Sequence, residues 1–285
     1  MKIKILIPVF NDFESVSKLL IDINSTLSNL NADFSVILVN DASTEKNNID
    51  VSNTDKINSV KIINIKNNQG HARCIATGLK YIFDNEEFDY IIPMDGDGED
   101  RPQEISKFVE FFKYDYTKPI VGERIKRSEG LVFKISYTIH KLVTFIFTGH
   151  SIKFGNYTCL PKSTVEKMIN EKATWSSFSG ALAKLEKNRS TIPSIRGERY
   201  FGPSKMSFFN LIKHSLSIIA VFKTNVIIRS ILFFLIYIFL ISENLNYVTS
   251  IPLIGVLALA ISVLAISKRE NISELNDSLS NIKNI

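Results

Sequence analysis

Asp95 and Asp97 stand two residues apart directly after the apolar run Tyr90–Met94, and Glu99 follows at the same spacing. Carboxylates at the tip of a buried strand suit a hard divalent cation that bridges phosphate oxygens. Along an extended backbone alternate side chains share one side, so Asp95, Asp97 and Glu99 are the expected metal ligands. A cation there would neutralise a diphosphate and stabilise it as a leaving group, which points to a nucleotide-diphosphate substrate.

Three further groups could serve such chemistry. Asp41 follows the apolar run Phe34–Val39, where its carboxylate can accept a hydrogen bond from a base or ribose, or else cap a turn. Gly70 and Arg73 open a helical stretch whose N-terminal amides favour phosphate oxygens, although Arg73 could equally be a surface residue of that helix. In Arg199-Tyr200-Phe201-Gly202-Pro203-Ser204-Lys205, two cations and a hydroxyl surround a glycine turn. That is the make-up of a phosphate grip, with a solvated basic loop as the bland alternative.

The elements that must hold these residues alternate strand and helix. Ile3–Val9, Phe34–Val39, Val60–Ile65 and Tyr90–Met94 are apolar runs of strand length. Between them, Phe13–Leu30 and Ala72–Phe83 carry helical spacing. Continuous apolar strands separated by helices predict an α/β fold with a mostly parallel sheet flanked by helices. In such sheets ligands bind beyond the carboxyl ends of the strands, where Asn11-Asp12, Asn40-Asp41, Asn67–Gly70 and Asp95–Asp100 all fall. Ile120-Val121-Gly122 reads as a short strand delivering Arg124, Lys126 and Arg127.

The second half changes character. Val226–Ile241, extended back to Ile218, and Tyr247–Ile266 are apolar all round and long enough to span about 30 Å of hydrocarbon. A buried pair of core helices is the alternative. Lys223 and Arg229 lie near one end of the first span, where long cationic side chains can snorkel. Lysines and arginines flank the pair while the linker Ser242–Asn246 has none, so the flanks are expected in the cytoplasm. Leu131–Thr148, with Lys134 and Lys141 on one side, and Ser204–Val221 have the profile of helices lying in a membrane surface.

The net charge of +5 is concentrated: Lys184 to Arg229 holds nine Lys or Arg against two Glu. Beside an apolar span this points to anionic lipid headgroups or a lipid phosphate. Nucleic acid is not expected as a partner, because no nucleic-acid-binding module accompanies the charge. Two cysteines in apolar contexts and four scattered histidines predict neither a disulfide nor a zinc site. The expected divisions are a cytoplasmic domain over 1–203, an amphipathic juxtamembrane helix over 204–222, a hairpin over 223–267 (about 223–241 and 247–267) and a cytoplasmic tail over 268–285.

Ile7-Pro8-Val9-Phe10-Asn11-Asp12, Val39-Asn40-Asp41-Ala42-Ser43, Asn67-x-x-Gly70 and Asp95-Gly96-Asp97-Gly98-Glu99-Asp100-Arg101-Pro102 follow one another as in the family 2 glycosyltransferases of GT-A fold. The stretch Arg199–Lys205 before an apolar hairpin resembles the polyprenyl-phosphate subgroup, which includes dolichyl-phosphate mannose synthase and undecaprenyl-phosphate glucosyltransferases. The resemblance covers roughly residues 3 to 267. It implies a GT-A (Rossmann-like) domain with a C-terminal two-helix transmembrane hairpin in the inner membrane. It also implies an inverting, metal-dependent transfer from a UDP- or GDP-sugar to a polyprenyl phosphate.

In that reading Pro8, Asp12, Asp41, Gly70, Arg73 and Asp95 bind the nucleotide, and Asp95, Asp97 and Glu99 hold Mg2+ or Mn2+. Arg124, Arg199, Ser204 and Lys205 bind the acceptor phosphate, and Asp97, Arg124, Arg199 and Lys205 carry catalysis. Glu99 stands where the subgroup usually has Gln and Arg101 replaces a usual proline. Lys153–Leu160 departs from the subgroup's G-[DN]-[FY]-R-L stretch. A transferase acting on a hydroxyl of a lipid-linked saccharide, with Glu171, Glu186 or Glu198 as base, is the enzymatic alternative. A silent, membrane-anchored assembly subunit is the non-enzymatic one, and a homo-oligomer is compatible with each.

Overall fold

The computed structural model describes residues 1–112, 117–126, 131–203 and 207–285. The strands β1 (Lys2–Val9) and β2 (Asp33–Asn40) each expose their first residue and bury the next seven. Both faces of a central parallel strand are covered, so such strands read as unbroken apolar runs. In register, Ile3 lies opposite Phe34 and Val9 opposite Asn40. β2 also pairs in parallel with β3 (Ser59–Ile65), and β1 with β4 (Tyr90–Pro93).

Beyond β4 the direction changes. β6 (Phe154–Pro161) runs antiparallel to β4 and to β5 (Ile120–Lys126), and β7 (Ser190–Ile195) runs parallel to β5. A short strand, β8 (Ile282–Asn284), adds antiparallel to β3. The full order is β7-β5-β6-β4-β1-β2-β3-β8. Helix α1 (Phe13–Leu27) buries Phe13, Val16, Leu19, Leu20, Ile23 and Leu27 in the core shared with β1 and β2, and ends three residues short of the expected Leu30. Each fully buried side chain of this size contributes about 1.5–3 kcal/mol. Helix α2 (His71–Asn85) buries Ile75, Leu79 and Ile82 and contacts β1 and β2. Helices α3 (Ile105–Phe111), α5 (Lys162–Ile169) and α6 (Phe178–Leu185) complete the layers.

The chain divides into two units, one of 1–128, 153–204 and 271–285, the other of 129–152 and 205–270. This division differs from the expected contiguous domain over 1–203 and the expected tail. Residues 271–285 fold into the first unit, with helix α10 (Ile272–Asn276) and β8. Residues 129–152 belong with the apolar helices instead.

The second unit holds α4 (Leu131–Thr148), α7 (Phe208–Ala220), α8 (Lys223–Ile241) and α9 (Tyr247–Ser267). Phe147, Ile219, Ala220, Val226 and Val263 form its core. Most of α8 and α9 faces outward within the chain: Leu235 is 67%, Phe239 79% and Val248 74% exposed. These are therefore not the buried core helices of the alternative reading; both are long and apolar enough to cross a membrane. Three polar side chains near the start of α8 find partners. Arg229 donates to the Ile146 carbonyl at 2.7 Å and Asn225 to that of Thr148 at 2.8 Å, capping the end of α4, while Lys223 pairs with Glu270 at 3.4 Å.

Candidate active site

Because β1 to β4 run in parallel, the segments after them emerge at one edge. There the Met94 amide bonds the Leu6 carbonyl at 3.0 Å, and Asp95 follows just past the end of β4. The Asp95 amide donates to the Asp100 carboxylate at 2.9 Å, and the Glu99 amide donates to Asp97 at 3.0 Å, folding residues 95–100 into a tight loop. Gly98 makes the loop possible. Its φ is +88°, and a Cβ there would stand 2.5 Å from the Tyr200 ring.

That turn departs from the extended alternation expected of the sequence. The alternation that would put Glu99 beside Asp95 and Asp97 is broken at Gly98, and the Glu99 carboxylate pairs with Arg196. Among the described residues, no three His, Cys, Asp or Glu side chains converge to hold a metal. Asp95, Asp97 and Asp100 nevertheless crowd one another. Burial and the charge of Asp95 raise the Asp97 carboxyl to about 6 and that of Asp100 to about 8. At Asp95 burial works the same way but is outweighed: hydrogen bonding and charge from His71, then Arg124 and Arg196, hold its carboxyl well below the usual range. His71 Nε2 and Asn156 Nδ2 each lie 3.3 Å from Asp95 Oδ1.

Cations ring this cluster. Arg199 donates to Asp97 at 2.7 Å and also pairs with Asp12, so one guanidinium joins the loops after β1 and β4. Its own segment is fastened to the acidic loop through the backbone, with the Gly197 amide on the Glu99 carbonyl at 2.8 Å and that of Tyr200 on the Asp97 carbonyl at 2.9 Å. Tyr200 donates its hydroxyl to Asp22 on α1 at 2.6 Å. Arg124 lies over Gly155, where a Cβ would meet its Nη2 at 2.8 Å, and its charge favours the ionised forms of Asp95 and Asp100. Arg124 and Arg199 are thus brought to the acidic loop. Arg127, Ser204 and Lys205 lie outside the described residues, as do the side chains of Lys126 and Lys134.

The groups expected around the nucleotide share the same edge. Asp41, 4% exposed, accepts from the amides of Gln69 at 2.7 Å and Gly70 at 2.9 Å, tying the end of β2 to the start of α2. Pro8 is buried in β1 opposite Val39. Arg73 departs from expectation: it pairs with Glu274 at 3.0 Å and lies 4.9 Å over the Trp175 ring, anchoring α10 instead of facing a phosphate. Of the carboxylates considered as bases, Glu171 pairs with Lys184 and Glu186 with Lys167, while Glu198 is exposed.

Sequence reasoning missed His71, Asp100, Asn156, Arg196 and Tyr200. Asp100 and Arg196 carried a signal, Asp100 standing next to Glu99 and Arg196 three residues from Arg199. His71 and Asn156 reach Asp95 only through the pairing of β4 with β6 and the start of α2, which no local pattern reveals.

The donor set fits a divalent cation in reduced form. Mg2+ and Mn2+ need only one or two protein carboxylates when substrate phosphates supply the other oxygens. Asp95 and Asp97 can provide two, and the Asp97 carboxyl, raised by burial and then by the charge of Asp95, would be relieved by a cation beside it.

Comparison with known proteins agrees with this geometry. An undecaprenyl-phosphate 4-deoxy-4-formamido-L-arabinose transferase of Salmonella choleraesuis is 29% identical over 218 residues, 74% of this chain. The chain spans 64% of that relative's length. Glucosyl-3-phosphoglycerate synthase from Mycobacterium tuberculosis, crystallised with Mn2+ and UDP, superposes with a TM-score of 0.55 at 12% identity, over 79% of each chain. S. aureus TarS in complex with UDP-GlcNAc gives 0.55 at 15% identity, over 97% of this chain and 87% of that one. These likenesses establish the GT-A fold. The glycosyl transferase family 2 profile matches residues 4–178, more than half of the molecule, and the chain belongs to that family.

Proposed function

We propose that this protein is a membrane-bound, inverting sugar transferase that moves a sugar from a UDP- or GDP-sugar to a polyprenyl phosphate at the cytoplasmic leaflet of the inner membrane. The observation that carries the reading is the Asp95–Asp97 loop at the carboxyl end of β4, ringed by Arg124, Arg196 and Arg199. The curated relative supports the acceptor class, since its name specifies undecaprenyl phosphate. The two outward-facing apolar helices support a membrane setting.

Asp95 and Asp97 would hold the cation, which supplies charge neutralisation to the departing diphosphate. Asp41 and the start of α2 would border the nucleoside, with Asp12 beside it. An acceptor phosphate is already anionic at neutral pH, so it needs no strong base, and attack depends on positioning. Arg124 and Arg199 would hold that phosphate and stabilise charge as the sugar transfers. The engagement of Glu171 and Glu186 in ion pairs supports this acceptor over a hydroxyl, whose activation would require a base.

The test is to incubate membranes containing the protein with radiolabelled nucleotide sugars and extract the lipid fraction. Label in an acid-labile lipid phosphate ester, absent in Asp97→Ala at equal expression, is the expected result. Label transferred only to an oligosaccharide hydroxyl would overturn the acceptor. No transfer from any donor would favour the silent assembly subunit.

A further inference from the structure

The segment that follows the apolar hairpin reaches the donor side of the site by two separate routes. The first is a line of side-chain amides across the sheet. Asn64 on β3 donates to Asn284 of β8 at 2.7 Å and accepts from Asn40 of β2 at 2.8 Å. Asn40 in turn accepts from the Ser43 amide at 3.1 Å, and the Ser43 hydroxyl accepts from the Asn11 amide at 2.9 Å. Asn11 and Ala42 adopt positive φ of 49° and 54°, conformations that a non-glycine residue keeps only where its surroundings hold it. The Asn amides therefore brace the two turns that flank Asp41 and precede Asp12.

The second route enters at α2. Glu274 of α10 accepts from Trp175 Nε1 at 2.7 Å and pairs with Arg73, and Leu275 is buried with Ala76 and Trp175. Arg73 also donates to the Gln69 side chain at 3.3 Å. Gln69 and Gly70 are the residues whose amides hold the Asp41 carboxylate. The first route ends on the turns beside Asp41, and the second on the residues whose amides hold its carboxylate.

We propose that residues 271–285 position the donor pocket, with Asn284 and Glu274 as positioning residues for nucleoside diphosphate binding. The inference rests on the reading of the Asp41 edge as the donor site. Neither residue touches the acidic loop, so the effect falls on the nucleotide and leaves the cation ligands alone. Because β8 has three residues and α10 five, the segment is held by these contacts together with the β3 pairing and the bonds that join Lys66 and Asn67 to Ser280 and Asn281.

The test uses the full chain in detergent micelles, titrated calorimetrically with UDP and with GDP, each with Mn2+, and with Mn2+ alone. Asn284→Ala and Glu274→Ala are each expected to weaken the nucleotide about five-fold, the scale of one lost hydrogen-bonded constraint. The double variant should weaken it more, with Mn2+ binding unchanged. Glu274→Gln, which keeps an acceptor for Trp175, should recover part of the loss. Trp175 is the only tryptophan, so its emission reports whether the segment has come away.

Shifted emission with wild-type nucleotide affinity would overturn the positioning role while leaving the donor reading intact. Equal losses for nucleotide and for Mn2+ alone would mark a general loss of structure and overturn it as well. A wild-type chain that binds neither UDP nor GDP would overturn the donor reading and this inference with it. Should the double variant not fold, the single Asn284→Ala, at an exposed position, decides the question.

Discussion

At the scale of residues, the acidic loop separates the proposed ligands from their neighbours. Asp97 is half-buried among like charges and bonded to Arg199, whereas Glu99 has turned away to Arg196. Glu99→Gln is therefore expected to change Mn2+ affinity by less than about two-fold, while Asp97→Asn should cost at least roughly ten-fold, the usual scale for losing a ligand or its close support. Calorimetric titration with Mn2+ and UDP distinguishes them, and matching losses would restore Glu99 to the ligand set. The turn itself makes a second prediction. Gly98→Ala places a Cβ at positive φ and against Tyr200, so a loss of about 2 kcal/mol or more is expected in a denaturant melt. Asp95 and Asp97 were legible in the sequence because a buried strand ends just before them. The fate of Glu99 was not, since a single glycine with positive φ cancels the alternation that an extended chain would keep.

At the scale of elements, the strand pattern carried most of the fold. β1, β2 and β4 are largely apolar runs, interrupted inside only by Lys4 and Ser35, and their burial on both faces leaves little choice of structure. β8 gave no such signal, because Ile282-Lys283-Asn284 is short, half polar and paired only at an edge. Charge between elements was also hidden. Lys4 of β1 and Lys61 of β3 meet on Glu86, just past α2, with Lys4 at 2.8 Å. Burial alone would raise the Glu86 carboxyl, but the two ammonium groups outweigh it and hold the carboxyl below its ordinary value of 4.5. A carboxyl depressed in the folded state stabilises the fold above its unfolded value, and that stability is lost as pH falls through the folded value. Glu86→Gln should thus cost about 1 kcal/mol at pH 7, since Lys61 is part-exposed and partly screened, and should flatten the decline below about pH 4.5. Urea melts at pH 7 and pH 3 measure both; a variant with the wild-type acid limb would remove the trio from the account.

At the scale of the whole molecule, the order of the chain matters more than its composition suggests. The apolar helices were plain from hydropathy, yet they do not follow a finished domain: they interrupt one, which the chain re-enters at residue 271. A fragment ending at Ser204 would lack β8 and α10 and leave β3 as a bare sheet edge, open to pairing with other chains. It would also uncover the Ala76–Trp175 pocket that Leu275 fills and leave Arg73 without its carboxylate partner. Losing one buried leucine contact and the associated hydrogen bonds amounts to about 3 kcal/mol, or roughly 6–12 °C in Tm for a unit of this size. The same physics offers a rescue. A peptide of residues 271–285 added to the fragment should pair with β3 as an edge strand and raise Tm towards that of the full chain, reporting through Trp175 emission as it docks. A fragment already as stable as the full chain, or a peptide without effect at millimolar concentration, would mean that the first unit closes without its last segment. Rescue would mean that the hairpin is an insertion within the GT-A fold, and that the proposed donor edge is completed only after both apolar helices have been made.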